Sequence, residues 1–211
     1  MTSTSLQRAW WLKTLHQWHW ISAAISLVGL LLFSLTGITL NHAGSIEASP
    51  EVTRRQAQLP APLRAPLSVL AAQAAEDNGT PPLPDAVVRW LAGELNVDVR
   101  GREVEWAPDE IYVALPRPGG DAWLRIDLPQ GEVMHEITRR GWISYLNDLH
   151  KGRHTGAVWS GFIDVFAVAC LLFATTGLLI LKLHAGNRPS TWPLVALGLV
   201  LPALLALLTI H

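Results

Sequence analysis

Three apolar runs, roughly residues 21–41, 158–183 and 192–210, constrain this chain more than any other feature. Each has about the 20 residues that a helix needs to cross about 30 Å of hydrocarbon. The stretch between the first two, 43–145, is ordinary in composition and carries most of the charge. Half of the 211 residues are hydrophobic and 16% are charged, too apolar a balance for one soluble domain. The sequence therefore predicts an α-helical membrane protein with three transmembrane helices and a small α+β extramembrane insert between helices 1 and 2. Its parts are 1–42 (flank and helix 1), 43–145 (insert), 146–184 (helix 2 with a histidine-rich entry) and 185–211 (short loop and helix 3).

A net charge of −1 gives no argument for nucleic acid. Cys170 is the only cysteine, which excludes an intrachain disulfide and dithiol redox chemistry. The first run is too long for a cleaved signal and no clear A-x-A site follows it, so a retained anchor is expected. Trp10, Trp11, Trp18 and Trp20 precede the first run, Trp142 and Trp159 flank the approach to the second, and Trp192 opens the third. Indole rings favour the headgroup level, so these tryptophans read as interfacial belts. Arg139, Arg140, Lys151 and Arg153 near the second run would, taken literally, place the insert in the cytoplasm. That rule weakens for loops beyond about 60 residues, so charge alone leaves orientation open.

Within the insert, residues 66–76 and 84–96 read as helices, the second with apolar positions at Val87, Val88, Leu91 and Leu95. The period then changes to two. "EVEW", "EIYVALP", "AWLRIDL" and "GEVMHEIT" are strand-like, separated by "PRPGGD" and "PQG" turns. One or two helices on a small antiparallel sheet are expected. The insert contains no carboxylate pair, nucleophile elbow or phosphate loop, and His135 reads as a surface or packing histidine.

The first two spans repeat one another. "LLFSLTG" (31–37) matches "LLFATTG" (171–177), "NHAG" (41–44) matches "LHAG" (183–186), and "LHQWH" (15–19) stands where "LHKGRH" (149–154) does. Consecutive spans cross in opposite directions, so the start of the first lies beside the end of the second. His16 and His19 then share a membrane face with His184, and His42 shares the other with His150 and His154. Neutral imidazole is a good ligand for iron, copper and zinc, and two histidines from neighbouring helices can hold a haem iron from both sides. Without C-x-x-C-H, such a haem would be non-covalent b-type. The single cysteine disfavours iron–sulfur and closed zinc sites. Two cofactors or metals held by these groups would lie near opposite membrane surfaces. His16 and His42 are 26 positions apart, roughly 39 Å of helix, which is long for one electron hop.

Asp164 lies inside the second run, where a carboxyl is costly and faces protein or a watery cavity. Pairing with Ser, Thr or Arg153 and a part in proton handling are both open. Thr36-Gly37 and Thr176-Gly177 read first as positions for close helix packing, or as room for a flat macrocycle.

These spans resemble the PepSY-associated transmembrane helix family. The likeness lies in Leu15-His16-Gln17-Trp18…Thr36-Gly37 and in Asp148-Leu149-His150-Lys151-Gly152…Thr176-Gly177. "WLRIDLPQGEV" is similar to the strand-turn-strand of a PepSY module. The resemblance implies a multi-pass protein of the bacterial inner membrane with its insert in the periplasm. Some members are haem-containing reductases that reduce ferric iron or release iron from ferric siderophores. His16 and His150 match the family's histidines by position. Relatives often have four or more spans, and a second histidine where this chain has Asn147. The three spans here favour a homodimer as the complete unit.

The histidine groups and this resemblance together imply haem b electron transfer to ferric iron or a ferric siderophore, with electrons from the cytoplasmic side or the quinol pool, and one or two haems b: an outer one on His42 and His150 with His154 in reserve, and an inner one on His16 or His19 with His184. No flavin or nicotinamide fingerprint appears, so the electron donor is a separate, unidentified partner. Two other readings stand beside this one: a non-enzymatic PepSY accessory or assembly protein, and a transporter accessory that binds metal directly through the histidines.

Overall fold

A computed structural model describes residues 3–46, 49–77 and 79–210. His211, read from the sequence as no more than the chain end, lies outside the described residues. Three helices are long and apolar enough to cross a membrane: α1 (Ser3–Asn41), α5 (Ala157–His184) and α6 (Thr191–Thr209). α1 begins well before the apolar run, because no proline or glycine interrupts the sequence from Ser3 to Val28. Extending a helix already formed adds one hydrogen bond per residue fixed. Pro202 lies inside α6, as prolines can in spanning helices, where neighbouring groups re-satisfy the freed backbone carbonyl.

The chain forms two compact units, one of residues up to Leu32 and from Gly161 onward, the other of residues 33–160. In the first, Ser22 and Ser26 are buried, each hydroxyl donating to a backbone carbonyl of its own helix. Gly29 lies one turn further along the same stripe, and the Phe166 ring of α5 packs directly upon it. Small residues four and three positions apart let helices approach closely.

The second unit contains the insert. Five antiparallel strands, β1 (Glu51–Gln58), β2 (Val104–Trp106), β3 (Glu110–Ala114), β4 (Gly120–Asp127) and β5 (Glu132–Arg139), lie in the order β1-β5-β4-β3-β2. Helices α2 (Ala61–Asp77) and α3 (Asp85–Glu94) supply the other half of its core. Ile111, Val113, Leu124, Ile126 and Val133 alternate inward from the strands, and Leu67, Val87 and Leu91 meet them from the helices. This is the alternation of a sheet buried on one face. The turns need glycine at 119 and 131, both at φ 71°. α2 starts at Ala61, five residues before the predicted position. β1 is an unpredicted strand, paired with β5 at the sheet edge with Arg55 opposite His135.

α5 (Ala157–His184) coincides with the span expected at 158–183, and the histidine-rich stretch before it holds the end of a further helix. α4 (Trp142–Lys151) is a separate helix, ended by Gly152 in the left-handed conformation, φ 65°. His154 and Gly156 also have positive φ, 58° and 81°. Three such residues in five cannot continue a right-handed helix.

Candidate functional site

Two histidines are seated against two Thr-Gly pairs, one in each compact unit. In the first unit, the His19 ring from α1 stacks on Phe173 of α5, centroids 4.8 Å apart and 14° from parallel. Its Nδ1 lies 3.2 Å from the Phe173 carbonyl oxygen and 3.1 Å from Thr176 Oγ1. A carbonyl only accepts, so Nδ1 carries the proton and Nε2 keeps the lone pair. The Thr176 hydroxyl is buried and donates in turn to the Leu172 carbonyl at 2.6 Å. Gly177 makes room, since a Cβ there would stand 3.2 Å from His19 Cε1.

In the second unit the same arrangement recurs with the segments exchanged. His150 of α4 places Nδ1 2.7 Å from Oγ1 of Thr36 on α1. Its ring tilts against Phe33, centroids 4.9 Å apart. A Cβ on Gly37 would stand 3.7 Å from His150 Cε1. The Thr36 hydroxyl can donate to the Phe33 carbonyl at 3.1 Å while accepting from His150. Beside this seat, Thr39 and the buried Asn147 lie 2.7 Å apart through Oγ1 and Oδ1.

Both seats have the pattern F-x-x-T-G: "FSLTG" (33–37) and "FATTG" (173–177). The aromatic ring covers one face of the imidazole, the hydroxyl takes Nδ1, and glycine leaves space for the ring edge. The repeat is visible in the sequence, but it reads there as a packing motif. Phe33 and Phe173 carry no individual signal beyond standing three residues before each threonine.

His16 and His184 come together in the first unit, with ring centroids 5.9 Å apart at 88°. Each Nδ1 bonds a carbonyl one turn back on its own helix, His16 to Leu12 and His184 to Ile180, both at 2.8 Å. Nε2 is thereby the available lone pair on each ring. A metal bound to one nitrogen of each ring at about 2 Å would hold the centroids about 6 Å apart.

The pair expected from His42 and His150 does not assemble in this way. His42 is exposed and bonds its own helix, Nδ1 to the Ile38 carbonyl at 3.0 Å. No ring contact joins it to His150 among the described residues. His154 is exposed, and its Nε2 accepts from Arg153 Nε at 3.2 Å. Asp164 is exposed on α5 and has no hydrogen bond or ion pair among the described residues. Among the described residues, no three His, Cys, Asp or Glu side chains gather to hold a bare ion.

His135 is buried in β5, 6% exposed, and its Nδ1 has no hydrogen-bond partner. Burial, with Arg55 and Arg117 nearby, holds its pKa below the usual histidine value.

Spanning helices, an antiparallel α+β insert and histidines seated by a repeated F-x-x-T-G define a multi-pass membrane protein of PepSY type. The chain belongs to the PepSY_TM-like family, whose model matches residues 10–211. Comparison with curated proteins and with solved structures gave no match.

Proposed function

We propose that this protein is a b-haem electron carrier of the bacterial inner membrane, with its insert in the periplasm, that reduces ferric iron or a ferric siderophore. One observation carries the reading: the His16 and His184 rings, from two helices, lie with centroids 5.9 Å apart, close to the spacing of a shared metal, with both Nδ1 atoms tied to carbonyls. His16 and His184 would hold a haem iron through their Nε2 atoms, a donor set of two imidazoles that suits it. The pair suits a bare ion less well, because among the described residues no group of three His, Cys, Asp or Glu side chains forms. Haem b, when bound, supplies a one-electron couple at a potential set by its axial ligands.

The chain's own residues do the rest. The Leu12 and Ile180 carbonyls fix the imidazole tautomer and leave Nε2 as the nitrogen with a free lone pair. Trp10, Trp11, Trp18 and Trp20 are all exposed on α1, as residues anchored in an interface are. Reduction of ferric iron needs proximity and potential, and no general base.

The test is the dithionite-reduced minus oxidised spectrum of the detergent-purified protein, expressed with haem supplied. A sharp b-type α-band, lost in His16→Ala and His184→Ala, is expected. A flat wild-type spectrum would overturn the reading.

The seats of His19 and His150 favour a second reading. Their Nδ1 atoms are satisfied and their rings packed without any cofactor. A PepSY accessory or assembly protein would use these histidines as pins between helices, and its spectrum would be flat.

A further inference from the structure

Asp164 stands within a membrane span, and nothing in the chain meets it. His19 meets Thr176 and Phe166 packs on Gly29, so α1 and α5 run antiparallel at a fixed level. That level sets Asp164 with Leu31, between Leu30 and Leu32 of the apolar run of α1. Thr176 lies 12 positions further along α5, roughly 18 Å. The carboxyl is exposed and has no hydrogen bond or ion pair among the described residues. α6 has no polar side chain between Trp192 and Thr209 to offer it. An ionisable group at such a depth faces protein or water and pairs with another group.

A second idle group shares its face. The Thr175 hydroxyl is exposed and makes no hydrogen bond among the described residues. Its neighbour Thr176, by contrast, accepts from His19 and donates to the Leu172 carbonyl. Asp164 and Thr175 are 11 positions apart, which is three turns with about 20° of rotation left over. Gly161, Val168, Leu171 and Leu178 extend the same line at alternating steps of three and four, and all six residues are exposed. That spacing is the seam of two packed helices. The other side of α5, with Phe166, Phe173 and Thr176, is the one that meets α1. The seam is thus a separate face of the helix, with a glycine for close approach and two polar side chains to bond across it.

We infer that this seam is the interface between two copies of the chain, paired about a two-fold axis through their α5 helices. Copies inserted with one topology bring α5 against α5 in parallel, so each seam residue meets its own equivalent. The two idle groups suit that rule. A hydroxyl both donates and accepts, and so does a carboxyl that holds its proton. Asp164 and Thr175 can therefore each satisfy their equivalents in the second copy, at a single register. A basic helix from another protein would answer Asp164 and leave Thr175 without a counterpart. The span count favours a dimer without saying which surface pairs, and the idle carboxyl assigns that surface. The inference does not depend on haem.

The experiment uses the full chain, diluted into phosphatidylethanolamine–phosphatidylglycerol vesicles, with Cys170→Ala as the background. Single cysteines are placed at Val168, on the seam, and at Val165, about 100° around the helix from Asp164. Val165 is the more exposed of the two, 69% against 56%, so exposure alone would favour it. Oxidation with copper phenanthroline should join Val168→Cys chains into a disulfide dimer and leave Val165→Cys chains monomeric. Asp164→Leu should raise the dissociation constant about tenfold, the loss of one hydrogen-bonded pair between helices. Asp164→Asn still donates and accepts, and should restore most of the affinity. Fluorescence energy transfer between labelled copies in the same vesicles reads both. The crosslinking keeps Asp164 in place, so it decides even where Asp164→Leu is not recovered. Equal crosslinking at the two positions, or a dimer that Asp164→Leu does not weaken, would overturn the interface. A chain that stays monomeric would also overturn it, and would leave Asp164 to a helix of another protein.

Discussion

His150 Nδ1 meets Thr36 Oγ1 at 2.7 Å, and His19 Nδ1 meets Thr176 Oγ1 at 3.1 Å. Each histidine stands just before a span, and each threonine stands near the end of the other repeat's span. The internal repeat thus folds as a reciprocal exchange: each copy provides one imidazole and receives one. Where the hydroxyl donates to a carbonyl of its own helix, as Thr176 does to Leu172 and Thr36 to Phe33, it is left to accept from the imidazole.

Removing either hydroxyl tests the pin without changing shape. Thr36→Val leaves His150 Nδ1 without its acceptor, whereas Thr176→Val leaves His19 the Phe173 carbonyl. Each loss should cost roughly 0.6–1 kcal/mol, as interhelical hydrogen bonds in membranes do. Thr36→Val should be the more damaging in a thermal unfolding series in detergent. Equal or negligible shifts would mean that the rings are held by packing alone.

The glycines predict an asymmetry of the opposite sense. A Cβ at position 37 would make an ordinary 3.7 Å contact with His150, but one at 177 would press to 3.2 Å on His19. Gly37→Ala should be nearly neutral. Gly177→Ala should destabilise by about 1 kcal/mol, since overpacking costs about 1–3 kcal/mol when neighbours cannot give. His19→Ala would remove the ring edge and abolish the difference between Gly177→Ala and its own background. Unfolding midpoints for the four variants check this.

The histidines should separate by spectrum. His16→Ala and His184→Ala are expected to lose a b-type band together, because their rings face each other at 5.9 Å. His154→Ala should retain it, because His154 is exposed and stands outside that pair. Pyridine haemochrome quantification per protein reads the result. Loss in His154→Ala with retention in His16→Ala would reverse the assignment of the pair.

The spans were open to reading because twenty apolar residues have few other fates in water. Strands β3 to β5 were legible through Ile111 and Val113, Leu124 and Ile126, which alternate because only one sheet face is buried. β1 was not, since "EVTRRQAQ" is an edge strand held by backbone pairing and almost wholly exposed. The second span was legible at 158–183, but α4 before it was not read as a helix, because its ten residues are short and carry no long apolar run. The histidine groups were half legible: crossing direction brings His16 to His184, but only packing reveals that His150 turns to Thr36 rather than to His42.

His135 gives the insert a pH dependence whose sign is fixed by its burial. The ring lies between Arg55 across β1 and Leu124 across β4, with Arg117 nearby and its own Nδ1 unpartnered. Desolvation first, then the two arginines, hold its folded pKa below the ordinary 6.5. Above pH 6.5 both folded and unfolded forms are neutral and the full stability is present. As pH falls below that value the unfolded chain takes up a proton that the folded ring resists, so stability declines until the folded pKa is passed. Protection factors for the β4 and β5 amides of the full chain, corrected for intrinsic exchange, should therefore fall between pH 7.5 and 5. His135→Leu keeps an apolar side chain in the site and removes the titration, so its profile should be flatter over that window. A wild-type profile no steeper than that of His135→Leu would show that the ring protonates in place, and that Arg55 and Arg117 swing away to allow it.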